Sequence, residues 1–332
     1  MRFRKLLTAA VFLLPVAGIA QDDPFSLAPP VKASLVAEQN AVVPGQPFTV
    51  ALKMEHSGMW HTYWVNPGST GQATTIKWKL PEGSTASDPV WPVPHVKSFI
   101  VGDENFGRVH YYDGTIHILT DIKPPADLKT GDKMTVEAAV TWLHCDDIKG
   151  CFPGKETLKL TLPVADKAEK NAAQSAAFDA VRKEQPSPVP QWKVSVTAKE
   201  AAWVIRAEPG EGAAADPGAV HFLDAAEAII ADEQVWKKDG KVLVLEIDKK
   251  SDSTATPWGY IQAANSWVDG QKVTLLPVGA PPSATRAAVE APDKTPVVPP
   301  DKTPEATAGG ASLEEQIATI RGWGVRTLEG EK

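Results

Sequence analysis

Val136, Ala138, Val140 and Trp142 alternate with Glu137, Ala139 and Thr141 on the approach to Cys145, and Leu158, Leu160 and Leu162 alternate with Thr157, Lys159 and Thr161 after Cys151. Period-two runs on both sides of a short polar loop specify an antiparallel hairpin. Asp146-Asp147-Ile148-Lys149-Gly150 is the loop, and Gly150 is free to take a positive φ. Cys145 and Cys151 then face each other across the two strands. Opposed residues in such a pair have Cα atoms about 4.5–5.5 Å apart, within reach of a disulfide. These are the only two cysteines in the chain of 332 residues.

A bridge here is either a staple or a reagent. Closing so short a loop stabilises by only about 2.4 kcal/mol in the chain-entropy model, and a chain of this length buries a core without help. Both points favour redox use, while a plain structural bridge stays open as the alternative. Asp146 and Asp147 disfavour a thiolate at Cys145, and no Cys-x-x-Cys is present, so a thioredoxin-type site is not expected.

Residues 1–20 read as a secretory signal, with Arg2, Arg4 and Lys5 before the apolar run Leu6 to Val16 and small residues at Gly18-Ile19-Ala20. The run is too short to span a bilayer, and no later stretch is long enough. An exported, soluble protein beginning at Gln21 is expected, in a compartment that permits disulfides. Loss of the signal takes the formal net charge from −7 to −10. An acidic chain without a basic cluster argues against nucleic acid and anionic membrane surfaces.

From Val31 the chain reads as short strands separated by turns such as Asn66-Pro67-Gly68 and Tyr112-Asp113-Gly114. Strand runs at this spacing over residues 31–165 predict an immunoglobulin-like β-sandwich, making the chain all-β. Residues 166–185 read as an Ala-rich helix stopped by Pro186, and residues 186–279 as a second β-sandwich. Residues 280–311 form a Pro-rich linker expected to be disordered, and residues 312–332 a short amphipathic helix tail opened by Ser312-Leu313-Glu314-Glu315.

Three stretches together resemble the amino-terminal periplasmic domain of the DsbD family of thiol:disulfide interchange proteins. Trp60-His61-Thr62-Tyr63-Trp64 followed by Asn66-Pro67-Gly68 is similar to that family's tryptophan-rich second strand as found in the ScsB-like branch. Asp103-Glu104-Asn105-Phe106-Gly107 resembles the loop that caps the active site, and Cys145-x5-Cys151-Phe152-Pro153 resembles the redox pair. The resemblance implies that Cys145 and Cys151 are a reversible dithiol/disulfide, with Cys151 forming the mixed disulfide with a partner. It implies a lid at Phe106 or Asn105, since an ungapped match puts the family's capping phenylalanine on Asn105. It also implies thioredoxin-like periplasmic partners, no cofactor and no metal. The family's membrane domain and its Cys-x-x-Cys domain are not in this sequence, so a separate membrane electron donor is expected. His144 is a candidate for tuning the thiol, although adjacent strand residues point to opposite faces.

Met54, His56, Met59 and His61 suggest copper only weakly, because they spread over a strand and a turn. Trp60 and Trp64 fit a sandwich core better than a sugar platform. No Ser/His/Asp arrangement or phosphate-cradling glycine loop is present. The competing reading is a non-catalytic two-domain β-sandwich binding or assembly protein with a structural disulfide.

Overall fold

The computed structural model describes residues 29–101, 103–229, 234–251 and 253–279. The expected signal, Pro-rich linker and amphipathic tail lie outside the described residues. The first ten strands are β1 (Val31–Ala37), β2 (Phe48–His56), β3 (Thr62–Gly68), β4 (Thr75–Lys79), β5 (Thr85–Ala86), β6 (His95–Val101), β7 (Glu104–Tyr112), β8 (Thr115–Lys123), β9 (Lys133–Asp146) and β10 (Gly150–Pro163). They make sheets ordered β1-β2-β8-β5, β10-β9-β4 and β3-β7-β6. After helix α1 (Ser175–Glu184) come β11 (Trp192–Ala198), β12 (Ala202–Pro209), β13 (Val220–Asp224), β14 (Trp236–Asp239), β15 (Val242–Asp248), β16 (Gly259–Ala263) and β17 (Leu275–Val278). These form sheets ordered β11-β12-β15-β14 and β13-β16-β17. The chain is all-β, with two β-sandwiches and one short helix among the described residues.

The first core follows the period-two pattern. Leu52, Met54 and Ile118 from one sheet meet Val136, Ala138, Val140 and Trp142 from β9. Leu158 is buried on β10 while Leu160 and Leu162 are only half-buried, because β10 has a neighbour on one side alone. The second core gathers Trp192, Ile205, Phe222, Leu245, Ile261 and Trp267.

The structure departs from the sequence expectation in two places. The helix expected over residues 166–185 begins only at Ser175. Residues 164–171 instead run as a strap bridged to Val42 and Gln39, with the Asn40 and Asn171 amides donating to the Glu169 and Glu38 carbonyls. Those backbone groups are satisfied by the sandwich edge, so no helical turn is needed there. The helix docks Phe178 and Val181 on Ala51 and Leu119, and Arg182 grips Glu38 through two hydrogen bonds of 2.7 and 2.6 Å. The second departure is Asn66-Pro67-Gly68, which lies inside β3 rather than forming a turn. Asn66 Oδ1 accepts from the Gly68 amide at 2.9 Å, and the pairing of β3 with β7 slips between Tyr63 and Gly68. The turn chemistry makes a bulge, not a reversal. The short strands β5 and β14 had no clear sequence signal.

The two sandwiches meet through Trp64 and Tyr112 of the first and Leu223 and Ala225 of the second. Asn66 Nδ2 donates to the Asp224 carbonyl at 2.6 Å, and the His110 and His221 rings lie 6.1 Å apart. A cavity of about 930 Å³ opens beside this junction, walled by Trp64, Trp91, Trp258 and Tyr260. Among the described residues no helix is long and apolar enough to cross a membrane.

Burial holds the His221 imidazole down at about 3, with Arg108 and His110 adding to the effect, and burial also lowers His110. Both rings are harder to protonate in the fold than in the unfolded chain, which protonates them near pH 6.5. Stability is therefore full above about pH 6.5 and falls as pH drops towards the folded values, by up to about 1.4 kcal/mol per pH unit for each ring. Urea midpoints should decline between about pH 7 and about pH 4. His221→Phe should flatten that decline, and an unchanged slope would remove His221 as one of its causes.

Candidate functional site

The hairpin forms in the expected register. Cys151 pairs with Cys145, Phe152 with His144 and Gly154 with Trp142. Both strands run further towards the turn than expected, leaving only Asp147-Ile148-Lys149 between them. The turn is built by Asp146, whose Oδ1 accepts from the Ile148 and Lys149 amides at 2.9 and 3.0 Å. These bonds, the Ile148 one foremost, hold its carboxyl below the usual range. Gly150 closes the turn at φ 93°.

Cys145 and Cys151 are joined in a disulfide, with Cα atoms 4.1 Å apart. The two sulfurs live in different surroundings. Cys145 is 3% exposed, packed with Tyr63 and Val109 and flanked by Phe99, Tyr111 and Leu143. Cys151 is exposed, as are its neighbours Phe152 and Ile148. The Cys145 amide donates to the His61 carbonyl, and the His61 amide donates to the Cys145 carbonyl, each at 2.9 Å. Cys145 therefore faces Cys151 as a non-hydrogen-bonded pair, the closer of the two kinds.

Tyr63 was legible in the sequence only as part of a tryptophan-rich motif. Its hydroxyl donates to Cys145 Sγ at 3.0 Å. Burial, with Asp147 adding to it, pushes the phenol up to about 12, so it stays a donor at any ordinary pH. The ring is confined from the far side by Gly71, where a Cβ would sit 2.4 Å from the Tyr63 ring. His61 lies edge-on to both Tyr63 and Tyr111 at 5.5 Å. The alternation of β3 explains why the motif does two jobs: Tyr63 faces the buried sulfur, with the His61 ring against it, while Trp64 faces the second sandwich.

The carboxylates next to the cysteines are paired. Lys97 bonds both Asp147 oxygens, at 2.9 and 3.0 Å, and sits 5.0 Å from the Tyr111 ring centre. Lys149 lies 3.9 Å from Asp146 and over the Trp60 ring. The net field of the two aspartates on the sulfurs is thus offset, which the sequence expectation of thiolate repulsion left out. His144 occupies the other face, 5.2 Å from the Trp60 ring and 6.2 Å from Phe152. Burial lowers its pKa. It borders Cys151 through Phe152.

Residues 103–107 are not a free loop. Glu104 to Gly107 begin β7: Glu104 pairs with Val101 and Asn105 with Ile100 on β6, Phe106 and Gly107 fall where the register shifts before Arg108 pairs with Ser98, and Asp103 sits at the turn. Asn105 Oδ1 accepts from the Gly107 amide at 3.0 Å. Phe106 is 47% exposed and rests on Phe99 at 6.0 Å, and it is Phe99 that touches the cluster around Cys145. The sequence reading did not single out Phe99.

The residues that suggested copper are spread apart. Met54 is in the sandwich core, Met59 is exposed, and His56 bonds Gly114 and Thr62. Among the described residues no group of three or more histidine, cysteine, aspartate or glutamate side chains is placed to hold a metal. Trp60 and Trp64 are buried, so they form no sugar platform.

Residues 32–163 match the family described as "Thiol:disulfide interchange protein DsbD, N-terminal". The resemblance read from the sequence therefore holds over the first sandwich, and it supports thiol–disulfide interchange in general. Among solved structures, the N-terminal periplasmic domain of ScsB from Proteus mirabilis is similar at 15% identity and a TM-score of 0.49, covering 76% of this chain and 94% of that one. The YadV chaperone is similar at 10% identity and a TM-score of 0.19, covering 74% of this chain and 98% of that one. No curated protein matches.

Proposed function

We propose that this chain, whose first sandwich is of the DsbD amino-terminal family, relays electrons between a thioredoxin-like reductant and client proteins of an oxidising compartment through Cys145 and Cys151. The observation that carries the reading is the asymmetry of the bridge, with Cys151 exposed and Cys145 buried beneath a phenol. A partner thiolate attacks Cys151 Sγ in line with the bridge. A new sulfur–sulfur bond forms to Cys151, the old one breaks, and its electron pair leaves on Cys145 Sγ. The Tyr63 hydroxyl donates to that sulfur as charge develops on it. The partner's second thiolate then attacks its own bridged sulfur, releasing Cys151 and completing a two-electron reduction. The reverse sequence reduces a client: Cys151 thiolate attacks the client disulfide, and Cys145 thiolate resolves the mixed disulfide. Phe106 over Phe99 is the cover that keeps small thiols from Cys145. Proteins carrying the two sulfurs of a thioredoxin-like site fit the exposed edge, and a separate membrane-bound donor would supply the electrons.

The test is a free-thiol titration of the folded protein across a glutathione redox series. A relay should gain two thiols while its near-ultraviolet circular dichroism stays native. A bridge that remains closed until urea unfolds the chain would leave only the structural reading.

A further inference from the structure

We propose that the second sandwich is the backing that holds the Tyr63 hydroxyl on Cys145, with Asn66 as the positioning residue that transmits the support. The inference rests on the interchange reading above and assigns a role to the second sandwich.

The sheet β3-β7-β6 has two working faces. Tyr63, Val109 and Tyr111 face the buried sulfur, while Trp64, His110 and Tyr112, the residues that follow each of them, face the second sandwich. Strand β3 is an edge of that sheet, and its ladder to β7 holds only at Thr62, Tyr63 and Gly68. Between Tyr63 and Gly68 regular pairing gives out, so the strand that carries the phenol is held there by other contacts. Asn66 supplies them. It is buried at 5% exposure, and its Nδ2 donates to the Asp224 carbonyl while its own carbonyl accepts from His110 Nδ1 at 2.9 Å. Asp224 is itself fixed, its carboxylate accepting from the Ala226, Ala228 and Ile229 amides. Trp64, next to Tyr63, presses on Leu223 and Ala225. Gly71 confines the Tyr63 ring from the other side. The hydroxyl position is thus set by a strand braced by the second sandwich. A hydrogen bond to a developing thiolate loses strength steeply with misalignment.

The experiment is a double-mutant cycle in the full chain, reading the rate at which dithiothreitol reduces the Cys145–Cys151 bridge. Tyr63→Phe should slow reduction about tenfold, the worth of one such hydrogen bond. Asn66→Ala should slow it about three- to fivefold in the wild-type background and leave it unchanged in the Tyr63→Phe background. If Asn66→Ala does not fold, Tyr260→Ala, which trims the half-buried rim of the same junction, should show the same background dependence. An Asn66 effect of equal size with and without the phenol, or no effect beside a lowered melting temperature, overturns the inference and leaves the interchange reading standing. A wild-type bridge that dithiothreitol cannot open in the folded protein would instead remove the interchange reading itself.

Discussion

A Cys145→Ser protein should capture thioredoxin-like partners as stable mixed disulfides, and a Cys151→Ser protein should capture almost none. In the first variant the remaining thiol is on the exposed side of the hairpin, free to attack or be attacked, and the resolving sulfur is gone. In the second the remaining thiol is 3% exposed, beneath Tyr63 and the Phe99 cluster. Thiol exchange needs an in-line approach to sulfur, so access alone should separate the two trapping rates by roughly a hundredfold or more. Serine keeps the size of the side chain, so packing around Tyr63 and Val109 changes little. Non-reducing electrophoresis after mixing with a thioredoxin-like protein reads the outcome directly. Equal trapping by both variants would refute the division of labour between the sulfurs.

Trp267→Ala should cost about 3–5 kcal/mol, the range for deleting a buried large aromatic. Trp267 is wholly buried, its Nε1 donates to the Ile261 and Thr274 carbonyls, and Trp192 meets it edge-on at 4.9 Å. Trp192 Nε1 also donates to the Trp267 carbonyl at 2.6 Å, so the cavity would loosen a second tryptophan. Since Trp267 belongs to the second core and not the first, the loss should appear as an early urea transition of the second sandwich. Tryptophan fluorescence should show that step, and in the reduced protein thiol accessibility at Cys145 should show the later loss of the first sandwich. A single unchanged transition would mean that Trp267 is not the keystone its packing makes it.

The hairpin was legible because its alternation is strict and its ends are marked by polar turn residues. The Asn66-Pro67-Gly68 signal was misread because the same side-chain–amide bond that closes a turn also closes a bulge, and only β7 beside it decides which forms. Residues 166–174 have helical composition, but the edge of the first sandwich offers them bonds that a helix would have to forgo. Tyr63 and Phe99 escaped notice for a different reason. Their importance lies in which face of the strand meets a sulfur more than thirty residues away, and no local pattern carries that. Phe106, expected as part of the cap, is exposed and rests on Phe99, and Phe99 is the ring that touches the Cys145 cluster.

Because Cys145 spends its amide and carbonyl on His61, the bridge spans a rung of the ladder that has no hydrogen bonds of its own to lose. Opening it breaks no backbone hydrogen bond between Cys145 and Cys151, so the dithiol should keep the backbone of the disulfide almost unaltered. On the proposed relay reading, the protein would then act as a rigid contact through which charge passes in either direction at little conformational cost. Which way it flows is left to the potentials of the molecules on either side.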